Sequence, residues 1–119
     1  MGVAFHNVPG CPEAPNVSHR TEHEATLTFK PPDDNGPAIT GYIIEMRTQP
    51  DSPWKTTGPQ ITDLEFTATN LQPSLEYEFR VTAVNAAGKE GQPSPPSVPS
   101  KYGNLEFRAI ITYDKAFNK

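Results

Sequence analysis

Three histidines, His6, His19 and His23, stand near Glu22 and Glu24, and zinc accepts imidazole nitrogen together with carboxylate oxygen. The spacing is not that of a metal motif. His19 and His23 fall on a strand-like run and the loop after it, where solvent-facing histidine is the ordinary outcome, so no metal is assigned. Asp33-Asp34-Asn35-Gly36 offers oxygen ligands suited to calcium, but a calcium loop needs acids at alternating positions and a bidentate glutamate further on. A turn is the preferred reading there. Gly10, Gly36, Gly41 and Gly58 are isolated, so no phosphate-cradling loop or dinucleotide fingerprint is present, and no nucleophile motif accompanies them. No catalytic residue and no cofactor are assigned, and the chain is read as a non-enzyme.

Two further stretches carry chemistry of a different kind. Asn16-Val17-Ser18 is an acceptor triplet for N-glycosylation, usable only if the chain enters the secretory pathway. Pro93-Ser94-Pro95-Pro96-Ser97-Val98-Pro99 could adopt the polyproline helix that SH3-type grooves bind. The preferred alternative is an edge strand that proline guards against pairing with another sheet.

These residues must be positioned by one domain of ordinary size, since the chain has 119 residues. Hydrophobic content is 34% and mean hydropathy is −0.60, lean but sufficient for a two-layer sandwich whose strands bury alternate residues. Fourteen acidic against ten basic residues give a net charge of −4 without a basic cluster, which argues against nucleic acid or an anionic membrane as partner. Cys11 is the only cysteine, so the chain forms no internal disulfide and the fold must stand on packing. No stretch approaches the roughly 18 apolar residues of a membrane span, and Met1–Gly10 lacks the pattern of a signal peptide.

The fourteen prolines punctuate rather than scatter. Proline lacks the ladder N–H and belongs at strand starts, edges and turns. Between these marks apolar residues recur with a period of two, as in half-buried strands. Leu27 and Phe29 face one way with Thr26, Thr28 and Lys30 opposite; Tyr42, Ile44 and Met46 face in with Glu45 and Arg47 out; Tyr77, Phe79, Val81 and Ala83 alternate with Glu78, Arg80 and Thr82. The pattern predicts strands over Asn16–Arg20, Ala25–Lys30, Gly41–Thr48, Trp54–Thr57, Phe66–Thr69, Tyr77–Asn85 and Pro93–Val98, and no amphipathic helix. Seven short strands predict an all-β, two-sheet sandwich.

From Pro12 to Pro99 the order of features resembles the fibronectin type III family, above all its repeats in titin-like muscle proteins and neural adhesion molecules. Phe29-Lys30-Pro31-Pro32 is similar to the family's aromatic-x-Pro-Pro ending of the second strand, with Phe29 where tryptophan is usual. Asp34-Asn35-Gly36 followed by Ile39–Glu45 resembles the next loop and third strand. Leu71-Gln72-Pro73 with Tyr77 resembles the tyrosine corner, and Val81–Gly88 the sixth strand and its turn. The Arg-Gly-Asp tripeptide by which some of these repeats hold integrins is absent.

The resemblance implies a seven-stranded immunoglobulin-like β-sandwich over residues 12–100. It implies a spacer and binding surface whose partners are other proteins and neighbouring domains of the same chain. Residues 1–11 are read as a linker or the end of a preceding domain. Residues 101–119 are read as an extension, a linker or the start of the next domain. Within them Leu105, Phe107, Ala109, Ile111 and Tyr113 alternate with polar residues, so Gly103–Lys119 is expected to form one more strand, which would seek a partner edge in this sandwich or another copy. The phrases nearest to titin-like repeats imply a cytoplasmic, filament-associated setting. The alternatives are an extracellular adhesion receptor, in which Asn16 would carry a glycan, and an accessory domain beside an enzyme. Trp54 and Ile43 are the apolar residues expected to mark an interface or to cover a sheet edge.

Overall fold

A computed structural model describes residues 8–49 and 51–103. They contain six strands: β1 (Asn16–Arg20), β2 (Ala25–Thr28), β3 (Ile39–Thr48), β4 (Lys55–Thr56), β5 (Glu65–Ala68) and β6 (Tyr77–Asn85). Two antiparallel sheets result, one in the order β1-β2-β5 and the other β4-β3-β6. No helix occurs among the described residues.

The alternation read from sequence is the one that fills the space between the sheets. Ala25 and Leu27 of β2, with Phe29 just after it, meet Tyr42 and Ile44 of β3 and Tyr77, Phe79, Val81 and Ala83 of β6; Ala68 and Leu71 close the core. Leu27, Ile44, Phe79 and Val81 are fully buried, each contributing about 1.5–3 kcal/mol by leaving water. The Phe29 and Tyr42 rings meet edge to face, with centroids 5.0 Å apart at 68°. Phe29, one residue past the end of β2, thus supplies an aromatic contact within the core. On the outer face of the first sheet, Thr26 and Thr67 share a hydroxyl hydrogen bond of 2.9 Å across β2 and β5.

The predicted seventh strand differs from the others. Residues 93–100 lie along the free edge of β6, yet they form no continuous ladder, because Pro95, Pro96 and Pro99 have no N–H to give. Ser94 and Ser97 replace it. The Ser94 amide donates to Val81 O and the Ser97 amide to Phe79 O, each at 2.8 Å, while the Val81 and Phe79 amides donate to the hydroxyls of Ser94 and Ser97 at 2.9 Å. Ser100 closes the row with a reciprocal backbone pair to Tyr77. The side-chain oxygens stand in for carbonyls that the proline-bent backbone turns away, so the buried donors of β6 stay satisfied.

The entry segment of this sandwich is tied to its loops and to its edge. Gly10 N donates to Asp33 O at 2.8 Å, Asn35 Nδ2 to Val8 O at 3.2 Å, and Cys11 Sγ to Pro93 O at 3.2 Å. Gly91 packs so closely on Pro9 that a Cβ there would sit 2.3 Å from the Pro9 carbonyl oxygen. The chain is therefore held from Val8 onward. The expected additional strand beyond Gly103, and His6, lie outside the described residues.

Candidate functional site

The outer face of the second sheet carries a set of interacting charged side chains. β3 and β6 pair with Glu45 opposite Arg80 and Arg47 opposite Glu78. Each pair is joined: Arg80 Nε lies 2.6 Å from Glu45 Oε1, and Arg47 Nε 2.8 Å from Glu78 Oε1. Trp54, just before β4, lays its ring against both arginines, with each guanidinium carbon 4.5 Å from the ring centroid. Trp54, expected to mark an interface or to cover a sheet edge, is partly buried over the arginines of β3 and β6. Ile43, opposite Thr82 on the same face, is partly exposed. The arrangement is charge-balanced, each arginine being joined to one glutamate.

At the end of the sandwich where β1 turns into β2, Arg20 is only 2% exposed. Its guanidinium donates to carbonyls of Thr21 and Glu22 in its own turn and, from Nη2, to Gln72 O at 2.9 Å and Leu75 O at 3.4 Å in the loop before β6. The guanidinium carbon lies 5.3 Å from the Tyr77 ring centroid. Burial pulls this guanidinium below its ordinary pKa, and the Tyr77 phenol opposes the shift. In the same loop Gln72 N donates to the Tyr77 hydroxyl at 2.8 Å, so ring and hydroxyl together fix the crossing from β5 to β6. Tyr77 was legible as such a corner. Arg20 was not, because nothing in a strand's last residue announces that loop carbonyls far along the chain will surround it.

The metal candidates come apart. His19 is exposed on β1, and His23 Nδ1 lies 2.9 Å from Leu71 O, so that nitrogen carries the hydrogen it donates. Glu22, His23 and Glu24 share the rim of a hollow of about 460 Å³ with Arg20 and Tyr102, but among the described residues no three histidine, cysteine or acidic side chains converge as a metal site would require. Asp34 uses its carboxylate within the loop, accepting from Gly36 N at 3.0 Å, while Asn35 takes the left-handed φ of 57° that the turn needs. Asn16 is exposed at the start of β1.

The fibronectin type III domain family matches residues 10–100. The chain belongs to that family. The fibronectin type III domain is 43% identical over 94 residues to contactin-4 of Rattus norvegicus, covering 75% of this chain and 9% of contactin-4. It is 37% identical over 101 residues to cardiac-type myosin-binding protein C of Homo sapiens, covering 83% of this chain and 8% of that protein. The chain therefore spans less than a tenth of the length of these curated relatives. Among solved structures, a titin module from human cardiac muscle superposes with a TM-score of 0.71 at 38% identity, over 77% of this chain and 90% of the module. A contactin and proteins of muscle are thus both represented among this domain's relatives.

Proposed function

We propose that this fibronectin type III domain is a non-catalytic structural and interaction module of a larger protein, setting the distance between neighbours and offering its sheet faces and edges to other proteins. One observation carries the reading. The chain is held at entry, by Val8–Asn35 and Gly10–Asp33, and at exit, by Tyr77–Ser100, so a pull on either end loads a hydrogen-bonded element rather than a loose tail. A titin-like, filament-associated setting is favoured by the similarity to a whole titin module of human cardiac muscle. The adhesion setting is supported by the 43% identity to contactin-4 and by the exposed Asn16 in its acceptor triplet. A role beside an enzyme domain is a further alternative, and strand pairing by Gly103–Lys119 belongs to the same proposal.

Single-molecule extension of a tandem array of the domain tests the spacer role. Unfolding in uniform steps of about 300 Å, as roughly 90 residues extend, is the expected result. Gradual extension without steps would overturn it. Secretion from eukaryotic cells with a glycan at Asn16, removed in Asn16→Gln, would support the adhesion setting.

A further inference from the structure

The edge segment 93–100 turns one column of residues toward β6 and two columns outward. Ser94, Ser97 and Ser100, spaced by three, are buried against Val81, Phe79 and Tyr77. A repeat of three is that of the polyproline II helix. The other two columns run Pro96-Pro99 and Pro95-Val98-Lys101, and all five of these residues are exposed, Val98 by 70%. Three residues here match two of β6, an advance of about 6.7 Å against the ~9.3 Å of a free polyproline helix. Along β6 the segment therefore advances less per residue than the free helix does along its own axis, while its columns are separated in the same way.

We infer that residues 95–101 on the folded domain are a docking ligand for an SH3-type groove, lined by aromatic rings and rimmed by acidic residues. A groove that grips a helix of three residues per turn touches two of its columns and leaves the third facing away. Here the column left over is the serine column already bound to β6. The outward residues form two apolar-Pro dipeptides three apart, Pro95-Pro96 and Val98-Pro99, followed by Lys101 two residues on. Lys101 makes no ion pair among the described residues, so its charge is available to an acidic rim. Strand addition by a second copy is disfavoured at this edge, since Pro95, Pro96 and Pro99 present no N–H. The ordered backbone also lowers the entropy cost of docking relative to a free peptide. This assignment rests on the domain's reading as an interaction module and gives that module one partner chemistry.

The test is titration of the 15N-labelled domain with an SH3 domain of the type that binds Pro-x-x-Pro-x-basic peptides, with a WW domain and a synthetic 93–101 peptide in parallel. Saturable shifts at Ser97, Val98, Ser100 and Lys101, weakened about fivefold or more by Lys101→Glu and lost in Pro96→Ala/Pro99→Ala, are expected. Unchanged Trp54 fluorescence in both variants shows that the fold is kept. The inference is overturned if the peptide binds and the folded domain does not, if Lys101→Glu binds equally well, if only the WW domain binds, or if the shifts follow self-association of the labelled domain. None of these results bears on the extension steps that test the spacer role.

Discussion

Ser97 and Phe79 exchange two hydrogen bonds, one from each backbone amide, but the acceptor on the serine is its hydroxyl at 2.9 Å rather than its carbonyl. The edge of the second sheet is thus closed by a side chain. Ser97→Ala leaves the Phe79 amide buried without an acceptor, and a loss of about 1–3 kcal/mol is expected. Urea denaturation followed by Trp54 fluorescence measures it. A change below about 0.5 kcal/mol would mean that the edge rearranges to supply a carbonyl.

Gly91 and Gly88 separate two reasons for glycine. Gly91→Ala drives a methyl group into the Pro9 carbonyl, so the chain at Val8–Cys11 must leave its seat. Gly88 has open space around its missing Cβ but a φ of +78°, and alanine there costs only about 1–2 kcal/mol of backbone strain. The expected outcome is a larger destabilisation for Gly91→Ala, with amide shifts at Gly10 and Asp33 that Gly88→Ala does not produce. Equal costs with no shift at Gly10 would refute the close packing.

Trp54 holds two guanidinium groups, each cation–π contact worth about 0.5–1 kcal/mol on a partly exposed face. Trp54→Ala is expected to cost about 1–2 kcal/mol, and the same substitution in an Arg47→Met/Arg80→Met background less than half of that. A double-mutant cycle by thermal unfolding, with circular dichroism as probe, reads the difference. Additive losses would show that the ring contributes through burial alone.

Burial raises the Tyr42 phenol above its ordinary pKa of about 10. In the window between that value and the higher folded one, the unfolded chain loses the proton first and binds fewer protons than the native state. Stability therefore falls as pH rises through the window, and is unaffected by this group below it. Chemical denaturation across alkaline pH should show a steeper loss in the parent than in Tyr42→Phe. Parallel curves would assign the loss to other groups.

Most of the framework could be read before any coordinates. β1 and β6 have the predicted bounds, and the inward sets of β2, β3 and β6 are those of the period-two pattern, since a strand with one buried face must write that face into every second residue. The turns were legible for the same local reason: Asn85 caps the bend after β6 by accepting from Ala87 and Lys89, and Gly88 supplies the positive φ. β4 is shorter than expected, because only Glu45 and Met46 of β3 face it in register.

What the sequence determined by itself is therefore the sandwich, its core and its corner tyrosine, all set by local period and turn chemistry. What the tertiary structure decided is everything that depends on register between distant segments. Glu45 meets Arg80 and Arg47 meets Glu78 only because β3 and β6 pair with that offset, and Trp54 finds both arginines only once those pairs exist. Arg20 reaches Gln72 and Leu75 across more than fifty residues. The segment 93–100 was readable as proline-rich but not as a row of serines bonded to β6 with prolines outward, because proline removes the N–H pattern from which a strand's partners can be inferred.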